Sequence, residues 1–195
     1  MNIYTAIKKE KSSIKRFIIF MLMIGIVLPI VLLIAGISNM FYLIYLVCIE
    51  FLIVMAIILK LNGYKVEYKC INNKLTFKVG MFTNRSLIFC DKVVLVHTNK
   101  SDYDMEIILI TSIAFKNKLL RSVMPNFLKR YPQIEEEYIK IKELNPDKSY
   151  YFQIVKKGGL KKYLLLDSIY KNCVKAIYTD YSIENIKIAR GQTIV

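Results

Sequence analysis

Catalytic equipment is scarce in this chain. Its 195 residues include one histidine, His97, inside a β-rich run, where it reads as a strand residue and not as the base of a Ser-His-Asp or Cys-His constellation. The seven glycines include no phosphate-cradling loop with a GKS or GKT tail. Four cysteines stand 22, 20 and 83 residues apart, which gives neither a CxxC pair nor a zinc ligand set, and no disulfide framework either. Acidic side chains are also few: 15 Asp and Glu face 29 Lys and Arg, for a formal net charge of +14. Three of them adjoin as Glu135-Glu136-Glu137, where they fan around a helix start instead of converging on a substrate. No cofactor and no metal is expected.

What the chain has in excess is apolar surface and positive charge. Hydrophobic residues make up 55%, above the roughly 45–50% of ordinary soluble domains, and such a chain is not disordered. Greasy and basic together imply two zones in two solvents. From Phe17 to Ile37 run 21 residues without a charge, long enough as a helix to cross a bilayer core of about 30 Å. Ser38 and Asn39 interrupt, and a second run from Met40 to Leu59 is broken only by Glu50. So short a link makes the two spans an antiparallel hairpin. Lys8, Lys9, Lys11, Lys15 and Arg16 precede the first run, as in a secretory signal, but a signal's apolar core is about 7–15 residues and no second span follows it at once. Positive charge flanks both outer ends (Lys60 and Lys65 follow the second span) and is absent from the link, so both termini are expected in the cytoplasm of a multi-pass cell-membrane protein. The division is then a basic cytoplasmic segment 1–16, a hairpin 17–60 and a cytoplasmic domain 61–195. Cys70, Cys90 and Cys173 fall in the reducing compartment and Cys48 in the membrane.

Glu50 is the sharpest residue of the lipid zone, because a carboxyl near mid-span costs a few kcal/mol on insertion scales. Counting outward from the turn, it lies level with the stretch between Gly25 and Pro29. Pro29 has no N–H, which frees the Gly25 carbonyl. A protonated Glu50 donating to that carbonyl is a structural role; a proton or ion path is the alternative, and it would need oligomers, since two helices are too few to line a route.

Residues 60–195 carry 24 basic and 13 acidic residues. Alternation predicts strands over Tyr64 to Cys70 and Lys74 to Val79, joined by an Asn72-Asn73 turn; with the longer apolar stretches Ser86 to Thr98 and Met105 to Ile113 they make a meander of four or five strands. Pro132 opens a helix with Ile134, Tyr138 and Ile141 on one face, ended by Asn145-Pro146-Asp147. Gly158-Gly159, between Ser149–Val155 and Tyr163–Leu166, reads as a hairpin turn. Asp167 or Ser168 caps a last helix bearing Ile169, Cys173 and Ile177, and Ile183 to Ile188 reads as a final short strand. The lysines are dispersed, with clusters at Lys8 to Arg16 and at the glycine turn, which is no footprint for nucleic acid. Anionic membrane lipid is the first partner such charges meet, at about 1 kcal/mol per near-surface cation. Lys156, Lys157, Lys161 and Lys162 at the turn, with Lys15 and Arg16, are the candidate head-group contacts. A solubilising hairpin tip is the competing role of that turn.

The stretch Asn73-Lys74-Leu75-Thr76-Phe77-Lys78-Val79-Gly80-Met81-Phe82, followed by the basic turn Thr83-Asn84-Arg85 and the strand Ser86 to Phe89, resembles the bacterial membrane proteins that carry a pleckstrin-homology-like domain. Cys90-Asp91 stands where that family commonly has a proline. The resemblance implies an α+β chain: a transmembrane helical hairpin, then a bent antiparallel sheet of about seven strands closed by a C-terminal helix, for which Asp167 to Asp180 is the candidate. The helical stretch around 116–144 is an insert in that plan. The implied role is binding or assembly, as a non-catalytic adaptor or regulator of a protein partner or a homo-oligomer. A transporter or channel subunit using Glu50 is the alternative. An enzyme with a site built from acids such as Asp91, Asp102 and Asp104 ranks third.

Overall fold

The computed structural model describes residues 2–36, 39–101, 104–115 and 117–193. Ser38 of the expected turn, and Asp102 with the side chain of Asp104, lie outside them. Two long helices come first, α1 (Ile3–Ile34) and α2 (Met40–Tyr64), packed against each other. Each begins at an asparagine whose side chain accepts a backbone N–H two residues on, Asn2 from Tyr4 and Asn39 from Phe41. Both are long and apolar enough to cross a bilayer, and neither apolar stretch is buried by the rest of the chain.

At 32 residues α1 is about 48 Å long, some 18 Å more than a bilayer core needs. The surplus is its N-terminal part. Residues 1–16 were expected as a separate basic segment, but the chain is helical from Ile3, and Ile3, Ala6 and Ile14 are buried. Ile3 belongs to the main core, with Ile7 packed against it. Positions 3, 7, 10 and 14 share a helix face, and the lysines at 8, 9, 11 and 15 take the rest of the surface.

The strands follow. β1 (Val66–Ile71), β2 (Lys74–Val79) and β3 (Ser86–Phe89) form an antiparallel sheet in that order. Asn72 and Asn73 both take positive φ, 48° and 62°, as a two-residue hairpin demands. The apolar run Ser86 to Thr98 is broken by a 3-10 turn at Cys90–Lys92 into β3 and β4 (Val93–Ser101). β4 pairs with β5 (Asp104–Thr111). After β6 (Arg121–Ser122) come α3 (Pro125–Arg130) and α4 (Pro132–Leu144), then β7 (Tyr151–Val155), α5 (Lys161–Asn172), β8 (Ile177–Tyr178) and α6 (Asp180–Ala189). The second sheet has the order β6-β7-β5-β4-β8, and β8 lies parallel to β4.

This second sheet is the middle layer, which explains why β5 is apolar at every core position. Ile107 and Leu109 face the main core, shared with the three-stranded sheet and α5; Ile108 and Ile110 face a second core under α3 and α4. A strand covered on both faces loses its alternation. The architecture is α+β: two apolar helices, then two sheets and four shorter helices among the described residues.

Three expected elements are replaced. Gly158-Gly159 closes no hairpin, the stretch Tyr163 to Leu166 is helical, and Ile183 to Ile188 lies in α6. In α5 the β-rich composition hid a helical stripe: Lys162, Leu165, Leu166 and Ile169 are buried at helical spacing. The C-terminal helix expected over Asp167 to Asp180 becomes two, α5 and α6, separated by β8, which carries Ile177.

Candidate functional site

The domain is bolted to the hairpin at the point where α2 leaves the apolar zone. Gly63 O accepts from Gly158 N at 2.7 Å, Lys65 O from Gly80 N at 2.7 Å, and Asn62 Oδ1 from Met81 N at 2.7 Å. On the other helix, Glu10 Oε2 accepts from Leu160 N at 3.1 Å. The two glycines explain how backbone comes so close. Gly158 (φ 126°) lies where a Cβ would strike Val66 and Lys162, and Gly159 (φ 50°) where one would strike the Glu10 carboxylate.

The junction also sorts the lysines read from the sequence. Lys162 is no head-group residue: it is fully buried, and its Nζ donates to Lys156 O at 2.6 Å. Lys161 is half-buried, with Nζ 4.3 Å from the Tyr64 ring centroid. Lys156 and Lys157 are exposed, and Lys156 lies 3.6 Å from Glu106. Lys15 and Arg16 are exposed on α1, at the start of its lipid-facing half.

Beside the junction opens a cleft of about 560 Å³. Arg121, Arg130, Lys156 and Lys157 line it, and no Asp or Glu does. Its apolar wall includes Phe127 and Phe152, stacked with centroids 3.8 Å apart and planes at 17°. Ser86 and Gln153 also line the cleft; Ser86 Oγ donates to Gln153 Oε1 at 2.5 Å, and Asn117 Nδ2 to Ser86 Oγ at 2.7 Å. Four cations over an aromatic wall, of which only Lys156 is paired with a carboxylate, that of Glu106, make a surface that favours anions. The sequence had flagged only the two lysines. Arg121 and Arg130 are 35 and 26 residues away from Lys156 along the chain, and only the β6-β7 pairing and the α3 turn bring them in. A second concavity of about 500 Å³ on the three-stranded sheet carries Lys69, Lys74, Lys78 and Arg85 with one acid, Glu67. Lys65, 3.1 Å from Glu67, hydrogen-bonds to its carboxylate and holds it below the usual range.

Within the hairpin, the Glu50 carboxyl rests on Gly25: an added Cβ there would lie 3.1 Å from Oε2. Glu50 Oε1 is buried with no hydrogen-bond partner. Pro29 lies one turn further along α1.

Other chemistry-bearing residues are placed as follows. His97 is buried on β4, with Nδ1 2.9 Å from Thr179 Oγ1. Ser182, which contacts Thr179, donates to Val96 O at 3.0 Å, so this polar set fastens α6 to β4. Burial holds the His97 imidazole down at about 4. Asp91 pairs with its neighbour Lys92 at 3.6 Å. Cys70, Cys90 and Cys173, distant in sequence, come together in the main core, an arrangement their spacing did not reveal. Among the described residues no group of three or more His, Cys, Asp or Glu is placed to hold a metal ion. In comparisons with known proteins, no family model, no curated protein and no solved structure matches the chain.

Proposed function

We propose that the chain is a non-catalytic adaptor or regulator of the cell membrane, with both termini and the basic domain on the cytoplasmic side. The observation that carries this reading is the double fastening of the domain to α1 and α2. A domain on a flexible tether would tumble; one held at Asn62–Lys65 and at Glu10 keeps one face at a fixed height over the lipid. Lys15, Arg16, Lys156 and Lys157 then lie near the head groups, and the four-cation cleft offers its anion-favouring surface to an acidic partner segment or to anionic lipid. The resemblance to pleckstrin-homology-like proteins agrees with the β1-β2-β3 meander and the asparagine turn; the parallel β8 and the α3-α4 pair stand outside that plan.

The test uses the full chain in nanodiscs of anionic or zwitterionic lipid. Amide exchange at 80–84 and 156–161 is expected to slow in the anionic discs and to recover with added salt, as surface electrostatics require. Equal exchange in both lipids rejects the lipid contact. A photocrosslinker at Arg130 in native membranes is expected to give one discrete protein adduct, and lipid adducts alone would reject the adaptor role.

The unpartnered Glu50 Oε1 favours a second reading, a transporter or channel subunit. It requires proton or ion flux in proteoliposomes that is lost in Glu50→Gln.

A further inference from the structure

Three cysteines from β1, the 3-10 turn after β3 and the end of α5 meet in the main core. Cys70 Sγ lies 3.9 Å from Cys90 Sγ, and Cys173 is buried in the same core. The simplest role for buried cysteines is that of small apolar residues. Two features exceed it. The sulfurs contact one another instead of carbon alone, and their access is unequal: Cys70 is half-buried, whereas Cys90 and Cys173 are fully buried. A metal would need donors converging on one point, which this set does not provide. Neighbouring thiols with one open end suit disulfide chemistry instead.

We propose that Cys70 and Cys90 are a peroxide-responsive thiol pair, in which the accessible Cys70 meets the oxidant and Cys90 closes a disulfide onto it. In the first step the Cys70 thiolate attacks one peroxide oxygen. The O–O bond breaks, hydroxide leaves, and Cys70 becomes a sulfenic acid. The Cys90 thiolate then attacks the sulfenic sulfur, the S–S bond forms, and a second hydroxide leaves. With the two thiol protons, the balance is two thiols and one hydrogen peroxide giving one disulfide and two waters. The thiols lose two electrons and the peroxide gains them. To form the bond the sulfurs close from 3.9 Å to about 2.05 Å.

The ionisation pattern favours the second step and slows the first. The neighbouring Cys173 and Cys70 thiols, working against burial, bring the Cys90 thiol down to about 7, so the resolving sulfur is about half ionised at neutrality. Burial and the adjacent Cys90 push Cys70 up, which makes the first step the slow one. In a reducing compartment the bridge is transient, as a sensor requires.

The experiment treats the full chain in nanodiscs, carrying Cys48→Ala to remove the lipid-exposed thiol, with hydrogen peroxide. Alkylation under denaturing conditions and non-reducing peptide mapping follow. The expected result is loss of two alkylatable thiols per chain, a Cys70–Cys90 cross-linked peptide, and recovery of both thiols with dithiothreitol, while Cys173 stays alkylatable. Adding Cys173→Ala is expected to keep the bridge, because Cys173 takes no part in the bond. Cys70 stopping at sulfinic acid with Cys90 still alkylatable would overturn the proposal, as would a Cys90–Cys173 bridge or no oxidation at all.

Discussion

The two halves of α1 use one backbone in two solvents. From Phe17 onward its side chains are apolar and face outward, as Ile19, Phe20, Met23 and Ile26 do, each about 60% exposed in the absence of lipid. Before Phe17 the helix is polar over most of its surface, yet it buries Ile3, Ala6 and Ile14. Burial thus runs opposite to hydrophobicity along the helix. The apolar half takes its stability from lipid and α2, and the charged half takes it from the domain. An apolar stripe within a charged segment marks a protein contact, and a uniformly apolar helix marks lipid.

The largest effect is expected where the domain meets this helix pair. Gly158→Ala places a Cβ on Val66 and Lys162 at φ 126°, a backbone region closed to L side chains. The expected cost is about 3 kcal/mol or more of domain stability, from backbone strain together with the clash. Chemical unfolding of the full chain in detergent measures it. A loss under about 1 kcal/mol would mean that the junction tolerates a side chain and is not closely docked.

Next comes a paired substitution in the two halves of α1. Ile3→Ala empties a fully buried site in the main core and is expected to cost about 3 kcal/mol. Ile26→Ala, in the lipid-facing half, is expected to change domain unfolding by less than about 0.5 kcal/mol. Equal costs would erase the contrast between the halves.

The hairpin was legible in the sequence because lipid imposes one demand over twenty residues, and Phe17–Ile37 meets it without a break. β2 and its asparagine turn were legible for a related reason: period-2 alternation and φ > 0 chemistry are local. The stalk of α1 was not, because five cations masked a stripe of only a few apolar positions. Gly158-Gly159 misled because a glycine pair signals positive φ without saying whether a turn or a close approach uses it. Here Gly63 O and Glu10, about 95 and 150 residues away in sequence, are the reason. The cleft was half legible: Lys156 and Lys157 are adjacent, but Arg121 and Arg130 arrive through a long-range strand pairing. The thiol cluster has no local signal at all.

A third effect separates the domain from the hairpin by pH. His97 is held at about 4 in the folded chain and rises to its ordinary value of about 6.5 on unfolding. Between those values the unfolded chain binds more protons, so stability rises with pH across the window and is lost as pH falls from 6.5 toward 4. The loss is expected to be about 3 kcal/mol for the domain, with helix–helix association in the hairpin unchanged. His97→Gln should flatten that part of the profile in thermal unfolding of the full chain. An unaltered slope would mean that protonation elsewhere governs it.

The smallest effect lies inside the hairpin, and it tests whether Glu50 and Gly25 form a unit. Unlike Gly158, Gly25 has ordinary helical backbone, so alanine there strains nothing by itself. Its Cβ would lie 3.1 Å from Glu50 Oε2, the movable end of a side chain that can yield by a few tenths of an ångström. Gly25→Ala is therefore expected to weaken helix pairing by only about 0.5–1 kcal/mol, within the range of interhelical contacts in lipid. Because the cost arises solely from the carboxyl, it should vanish when Glu50→Ala is introduced first, giving a coupling energy equal to the single-mutant loss. SDS titration of the hairpin in bicelles, following a pair of fluorophores on α1 and α2, reads all four corners of that cycle. If Gly25→Ala costs the same with and without the carboxyl, the two residues act independently, and the notch at Gly25 exists for the α1–α2 backbone approach instead of for Glu50.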